Sequence, residues 1–140
     1  MVLPVAWLVD VDGTLALHPQ RDPYDWRNAD GDVPNRPVVT AVQALAEHSG
    51  IDAILAITGR HERAREVTIR WFEAHNVPFS RLFMRSDGDY RADEVIKEEL
   101  FRNQVEPNYD VIGVIDDRDK VVMMWRRLGL VCFQVAQGDF

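Results

Sequence analysis

Three apolar runs of strand length each break off in a polar cluster, and this pattern constrains the fold more than any other feature of the chain. The first starts at Val5 and ends in Asp10-Val11-Asp12-Gly13-Thr14. The second, Ile51–Ile57, runs straight into Thr58-Gly59-Arg60, and the third, Val111–Ile115, into Asp116-Asp117-Arg118. Apolar residues fall on both faces of these runs, as in strands covered on both sides. Segments with helical spacing lie between and after them: Pro37–His48, His61–His75, Arg91–Asn103 and Lys120–Leu128. Short runs at Leu82–Met84 and Leu130–Val135 supply two further strands. Strands alternating with helices predict an α/β fold with a central, mainly parallel five-stranded sheet. The stretch of about residues 15–36 is polar and turn-rich, and reads as a flap after the first strand.

The 140 residues suit one domain, residues 1–140, around a single core. No run approaches the ~18 apolar residues that span a bilayer, so no membrane partner is expected. The N-terminus reads as a buried strand and not as a signal peptide. A single cysteine, Cys132, forbids an intrachain disulfide and fits a reducing, cytoplasmic setting. The net charge of −7 argues against a protein that coats nucleic acid, but not against one that grips a single phosphate or strand end. All basic residues except Lys97 and Lys120 are arginines, which suits bidentate phosphate contacts or simply reflects base composition.

Parallel strands bring their carboxyl ends to one edge of a sheet, where such folds bind ligands. Asp10, Asp12, Asp116 and Asp117 would then crowd one crevice, and like charges at that range need a counter-charge. A hard divalent cation with oxygen ligands, most naturally Mg²⁺, supplies it. Arg60, Lys97 and the Thr58 hydroxyl point to an anionic, phosphoryl-bearing substrate. Gly13 bends the chain between the two carboxylates of the first cluster. One of them can face phosphorus while the other approaches the leaving oxygen from a different angle, one as nucleophile and one as acid.

DVDGT resembles the D-x-D-x-T signature of the haloacid dehalogenase-like phosphatase superfamily, and Thr58, Lys97 and Asp116-Asp117 fall where its other motifs do. The segments PYD, ITGR, RADEVIKEELF, IDDRDKVVMMWRRLGL and QVAQGDF narrow the resemblance to the 3′-phosphatase domain of bacteriophage-type polynucleotide kinase-phosphatases, from Leu8 to Phe140. The resemblance implies a Rossmann-like three-layer sandwich. It also implies a Mg²⁺-dependent enzyme that removes 3′-phosphate, and 2′,3′-cyclic phosphate in some cases, from DNA or RNA ends through an aspartyl-phosphate. Asp10 would be the nucleophile and Asp12 the general acid and then base. Thr58 would bind a phosphoryl oxygen, and Lys97 would neutralise charge beside Asp10. Metal would be held by Asp10, the Asp12 carbonyl, and the Asp116-Asp117 pair, either member of which could be the direct ligand. Arg21, Gly59, Arg60 and Asp93 would line the substrate site. The segment after Arg60 is shorter than in the phage domain. No G-x-x-x-x-G-K-[ST] occurs, so kinase activity is not expected of this stretch, which is either a stand-alone protein or one domain of a larger one; a kinase or ligase partner on another chain is compatible with the resemblance. Self-association is also compatible with the family.

Plainer readings compete. On spacing alone Asp93 and Lys97 form an exposed helical ion pair worth ~0.3–0.5 kcal/mol. Trp7, Trp71 and Trp125 read as core, and Trp26 either as a base-stacking residue or as packing under the flap. Arg118 reads as pairing with a carboxylate. The four histidines form no ligand set, which disfavours zinc. A small-nucleotide phosphomonoesterase and a non-catalytic docking module are the rival functions.

Overall fold

The computed structural model describes residues 2–18 and 21–140. Its centre is a five-stranded parallel sheet built from β1 (Val5–Asp10), β4 (Ala53–His61), β5 (Arg81–Arg85), β6 (Asp110–Asp116) and β7 (Cys132–Gln134), in the order β5-β4-β1-β6-β7. β1 is the middle strand. Asp10 pairs in register with Ile57 of β4, and Val9 with Ile115 of β6, so Thr58 and Asp116 follow directly on either side of Asp10.

Alternation along β1 sends Trp7 and Val9 to one face and Ala6 and Leu8 to the other. Helices α1 (Arg36–Glu47) and α2 (Arg65–Ala74) supply Val42, Val67, Trp71 and Phe72 to the first face. Helices α3 (Asp93–Leu100) and α4 (Asp119–Arg127) supply residues such as Val121, Val122 and Trp125 to the second. The outcome is the expected sandwich of helices, sheet and helices. Trp7, Trp71 and Trp125 are core residues as read from sequence. No helix among the described residues is long and apolar enough to cross a membrane.

Two departures from the sequence reading bear on the site. Strand β4 continues four residues past Ile57, to His61, and its pairing with β5 jumps from Thr58↔Met84 to His61↔Arg85. Gly59 and Arg60 form the bulge between those pairs, a device that re-aims a side chain beside a site. A short 3-10 turn (Glu62–Ala64) then leads into α2, so the helix begins later than His61. Similarly, α3 ends at Leu100 and passes into one π-helical turn, Phe101–Val105.

Within the flap, β2 (Ala16–Leu17) and β3 (Val33–Pro34) form an antiparallel ribbon joined through a 3-10 helix, Trp26–Gly31. Residues 19 and 20 of the predicted flap lie outside the described residues. Trp26 packs, half-buried, on the core with the Arg27 guanidinium over its ring, which favours the packing reading over an open stacking face.

Cys132 sits in the core as expected of an inert thiol. Burial and the charge of Asp116 push its pKa up to about 11. The folded protein then offers roughly 100-fold less thiolate at pH 8 than the unfolded chain. Iodoacetamide is expected to alkylate Cys132 about 100-fold more slowly in the native state than in guanidinium chloride. Native labelling within a few-fold of the unfolded rate would contradict the buried placement.

Candidate active site

The end of β1 delivers Asp10 into a buried charge cluster. Its Oδ1 accepts a hydrogen bond from Lys97 Nζ at 2.7 Å and its Oδ2 one from Thr14 Oγ1 at 2.8 Å. Lys97 Nζ also donates to Asp116 Oδ2 at 3.2 Å and lies 3.7 Å from Asp93 Oδ2. Asp116 is held in turn by the Trp125 indole N–H on Oδ2 (3.1 Å) and by the Asp117 backbone N–H on Oδ1 (2.8 Å). The spacing of Asp93 and Lys97 does put them together on α3. Lys97, however, is 1 % exposed and reaches inward, because it is the one amine facing Asp10 and Asp116. Spacing alone suggests a surface pair; Lys97 instead lies inside, beside Asp10, where the resemblance puts it.

Asp10, Asp116 and Asp117 each offer a carboxylate oxygen, and the three atoms lie within 4.8 Å of one another. Burial and the neighbouring Asp116 push the Asp10 pKa well up, and Lys97 offsets this only in part. Asp117 is also raised by burial. Burial alone would lower Lys97, but Asp10, Asp116 and Asp93 hold it well above its ordinary value, so it is a permanent cation. One ammonium against three buried carboxylates leaves negative charge unmatched, and an oxygen-only donor set is what a hard divalent cation takes.

Asp12 stands apart from this cluster. Gly13, at φ +81°, turns the chain, and a Cβ there would overlap the Asp117 carboxylate, so the turn and the close packing both require glycine. The Asp12 carboxylate faces Arg60, which donates from Nε (2.9 Å) and Nη2 (2.7 Å). His18 Nε2 lies 3.1 Å away in a charge contact, and Arg21 lies at 3.6 Å. Burial would raise the Asp12 pKa. The His18 and Arg60 contacts outweigh it and hold the carboxyl well below the usual range. The same contact with Asp12 raises His18.

The two arginines share a third acid, Asp32. Arg21 binds it through Nε and Nη2 at 2.8 and 3.0 Å, and Arg60 through Nη2 at 3.0 Å. Arg60 Nη1 also donates to Thr68 Oγ1 of α2 at 2.9 Å. Asp32 is anchored by its own carbonyl, which accepts the Trp71 indole N–H at 2.8 Å. The flap is thus tied to α2 through Asp32.

Thr58, 1 % exposed, accepts the Arg60 backbone N–H at 3.1 Å. Gly59 packs so closely on Asp93 that a Cβ would overlap its carboxylate. Asp93 Oδ1 is buried without a hydrogen-bond partner, 3.6 Å from Arg85 Nη2. Arg85 ties the surroundings together by donating to the carbonyls of Gly59 and Asp89, at 2.8 and 3.1 Å, and to that of Arg91.

All the sequence-predicted residues therefore gather along the carboxyl edge of the sheet, in two groups. Asp10, Lys97, Asp116 and Asp117 form the buried cluster, with Asp93 at its margin. Asp12, Arg21 and Arg60 form a second, half-open one, with Thr58 and Gly59 on the β4 segment that ends in Arg60. Sequence reasoning missed Thr14, His18, Asp32 and Arg85. Thr14 was within reach, being the threonine of D-x-D-x-T. The other three carried no local signal. Arg118 donates to the Phe140 main-chain oxygen at 2.8 Å and lies over its ring. A groove of about 410 Å³ along the free edge of β5, bordered by Arg65, Arg81 and Gln104, contains none of the predicted residues.

Known proteins match this chain over most of its length. The family model for the polynucleotide kinase PNKP phosphatase domain matches residues 4–140. A protein of Autographa californica nuclear polyhedrosis virus, assigned as a bifunctional polynucleotide kinase/RNA ligase, is 38% identical over 128 residues, which are 89% of this chain and 18% of the viral protein. A chain in the structure of the Pnkp1/Rnl/Hen1 RNA repair complex superposes with a TM-score of 0.94 at 42% identity, over 99% of this chain and 44% of that one. A second Pnkp1/Rnl/Hen1 structure gives the same TM-score and identity, with 48% of its chain covered. The chain thus spans less than half the length of these relatives. From its first strand to its last residues, it belongs to the polynucleotide kinase phosphatase-domain family of haloacid dehalogenase-like fold.

Proposed function

We propose that this chain is a Mg²⁺-dependent polynucleotide 3′-phosphatase that acts on DNA or RNA ends, with Asp10 as nucleophile. The observation that carries the proposal is the separation of two aspartates two residues apart. Asp10 is buried against Lys97 in an acidic cluster, and Asp12 is held by Arg60 in the open part of the crevice.

The oxygen donors of Asp10, Asp116 and Asp117 suit Mg²⁺, with the Asp12 carbonyl as a further ligand. When bound, the ion neutralises the cluster and stabilises charge on a phosphoryl group. Lys97 fixes the Asp10 carboxylate and Thr14 orients its other oxygen. Asp10 attacks phosphorus, the bond to the 3′-oxygen breaks, and Asp12 supplies the proton to that oxygen. Asp12 then takes a proton from the water that cleaves the aspartyl-phosphate, releasing inorganic phosphate and restoring Asp10.

Asp12 must hold a proton for the first step, yet its partners keep it ionised in the free protein. An incoming phosphate competes with Asp12 and Asp32 for Arg60 and Arg21. Once Arg60 turns to the phosphate, His18 is left to oppose burial at Asp12 without it, and the Asp12 pKa climbs. Protonation of the acid thus follows substrate binding.

The viral relative is assigned kinase and ligase activities, and the solved relatives lie in a complex with Rnl and Hen1. A kinase or ligase partner, in a cytoplasmic end-repair setting, belongs to the same proposal. The test is phosphate release from 3′-phosphorylated DNA and RNA oligonucleotides against a 3′-mononucleotide. The expected result is Mg²⁺-dependent turnover that chelation abolishes, with the oligonucleotide preferred in kcat/KM. Strong preference for the mononucleotide would favour the small-nucleotide phosphomonoesterase, and absence of turnover on every ester would favour a docking module.

A further inference from the structure

The edge of the crevice carries an aromatic pair that the reaction does not use. His61, the last residue of β4, directly follows Arg60, the arginine that binds Asp12. Its ring lies 5.2 Å from that of Tyr90, tilted by 48°. Tyr90 sits in the loop between β5 and α3 and is 72 % exposed. A single exposed aromatic is ordinary, but this one is held in place from both sides. Arg85 binds the carbonyls of Asp89 and Arg91, the residues flanking Tyr90, and also that of Gly59. The Asp89 carboxylate accepts the Arg91 backbone N–H at 3.2 Å and its guanidinium at 2.7 Å. On the other side the Arg63 backbone N–H donates to Asp87 Oδ1 at 3.1 Å. The loop is thus pinned to the segment that presents Thr58, Gly59 and Arg60.

Resting on the phosphatase reading of this site, we propose that Tyr90, backed by His61, is a stacking platform for a nucleobase beside the phosphate being removed. Every base has a π-face, so an aromatic platform serves DNA or RNA ends without reading their sequence. A ring fixed before binding loses little conformational freedom when a base settles on it. Burial, with Arg63 and Arg85 nearby, pushes the His61 pKa down, so its ring stays uncharged at neutral pH. Arg63 is half exposed and its side chain meets Asp87 only at a long 3.9 Å, which leaves it able to meet a strand phosphate. Aromatic and basic groups together are what single-strand sites use. The platform would separate a nucleotide end from a phosphomonoester that carries no base.

The test compares a 3′-phosphorylated oligonucleotide with one of the same length whose last two residues are abasic. Tyr90→Ala is expected to lower kcat/KM on the intact strand about 10–100-fold, mainly through KM. On the abasic strand it should match the wild type. Tyr90→Phe should restore activity on the intact strand, and the Tm of both variants should stay near that of the wild type. Affinity of the same strands for Asp10→Asn protein with and without Tyr90→Ala, by fluorescence anisotropy, provides a readout that needs no turnover. Equal losses on both strands, or no loss on either, would overturn the platform. Base-dependent binding in a protein that releases no phosphate would support the platform and end the phosphatase reading instead.

Discussion

Asp10→Asn is expected to release phosphate from a 3′-phosphorylated oligonucleotide at least about 10⁴-fold more slowly than the wild type, the scale of loss when a covalent nucleophile is removed. The amide has the shape of the carboxylate, so the loss is one of chemistry. Stability should move the other way. Burial and Asp116 already disfavour the ionised Asp10 side chain, and a neutral group relieves a cluster in which three carboxylates share one amine. The Tm of Asp10→Asn should equal or exceed that of the wild type. Residual activity above a few per cent, with Mg²⁺ saturating, would remove Asp10 from the role of nucleophile.

Lys97→Met should have the opposite signature, a large loss of both stability and activity. The ammonium is 1 % exposed and contacts Asp10 at 2.7 Å, Asp116 at 3.2 Å and Asp93 at 3.7 Å. Removing it leaves buried carboxylates unpaired, which costs about 3–5 kcal/mol. For a chain of this size that is roughly a 10–15 °C fall in Tm. The fall must depend on pH. In the variant Asp10 and Asp117 titrate higher in the folded chain than in the unfolded one, further in the direction both already show. The folded state then binds more protons, so its stability declines as pH rises through those raised pKa values and recovers below them. The gap in Tm between variant and wild type should narrow on acidification. A double variant with Asp10→Asn should regain part of the stability and none of the activity. A Lys97→Met protein as stable as the wild type at neutral pH would show that the amine is dispensable to the fold.

How much of this could be read in advance follows from how each residue announces itself. Asp10, Thr58 and Asp116 stand at the ends of apolar runs, and parallel pairing forces such ends together, so periodicity alone placed them. Register then puts Asp10 opposite Ile57, one residue before Thr58. Asp32 could not be found that way. It lies in a polar, turn-rich stretch, where a carboxylate that salt-bridges two arginines looks like one facing water. Only its burial at 6 % exposed separates the two. Arg85 was hidden for a related reason, since its partners are carbonyls, which no sequence pattern marks. The bulge at Gly59 and Arg60 was missed because it breaks no composition rule, yet it lengthens β4 and carries Arg60 into contact with Asp12. Lys97 was legible as a site residue through resemblance, whereas its spacing from Asp93 suggested a surface pair.

The pairing of Asp10 with Lys97 spans 87 positions of the chain. As the polypeptide leaves the ribosome, the acid therefore emerges long before the amine that balances it inside the protein. Until α3 has been made and has docked, closing β1 into a dry interior would strand a charge there. The segment must stay hydrated, or bear a proton, for most of synthesis. Competence for chemistry and completion of the fold then arrive together, and a truncated chain ending before α3 has neither.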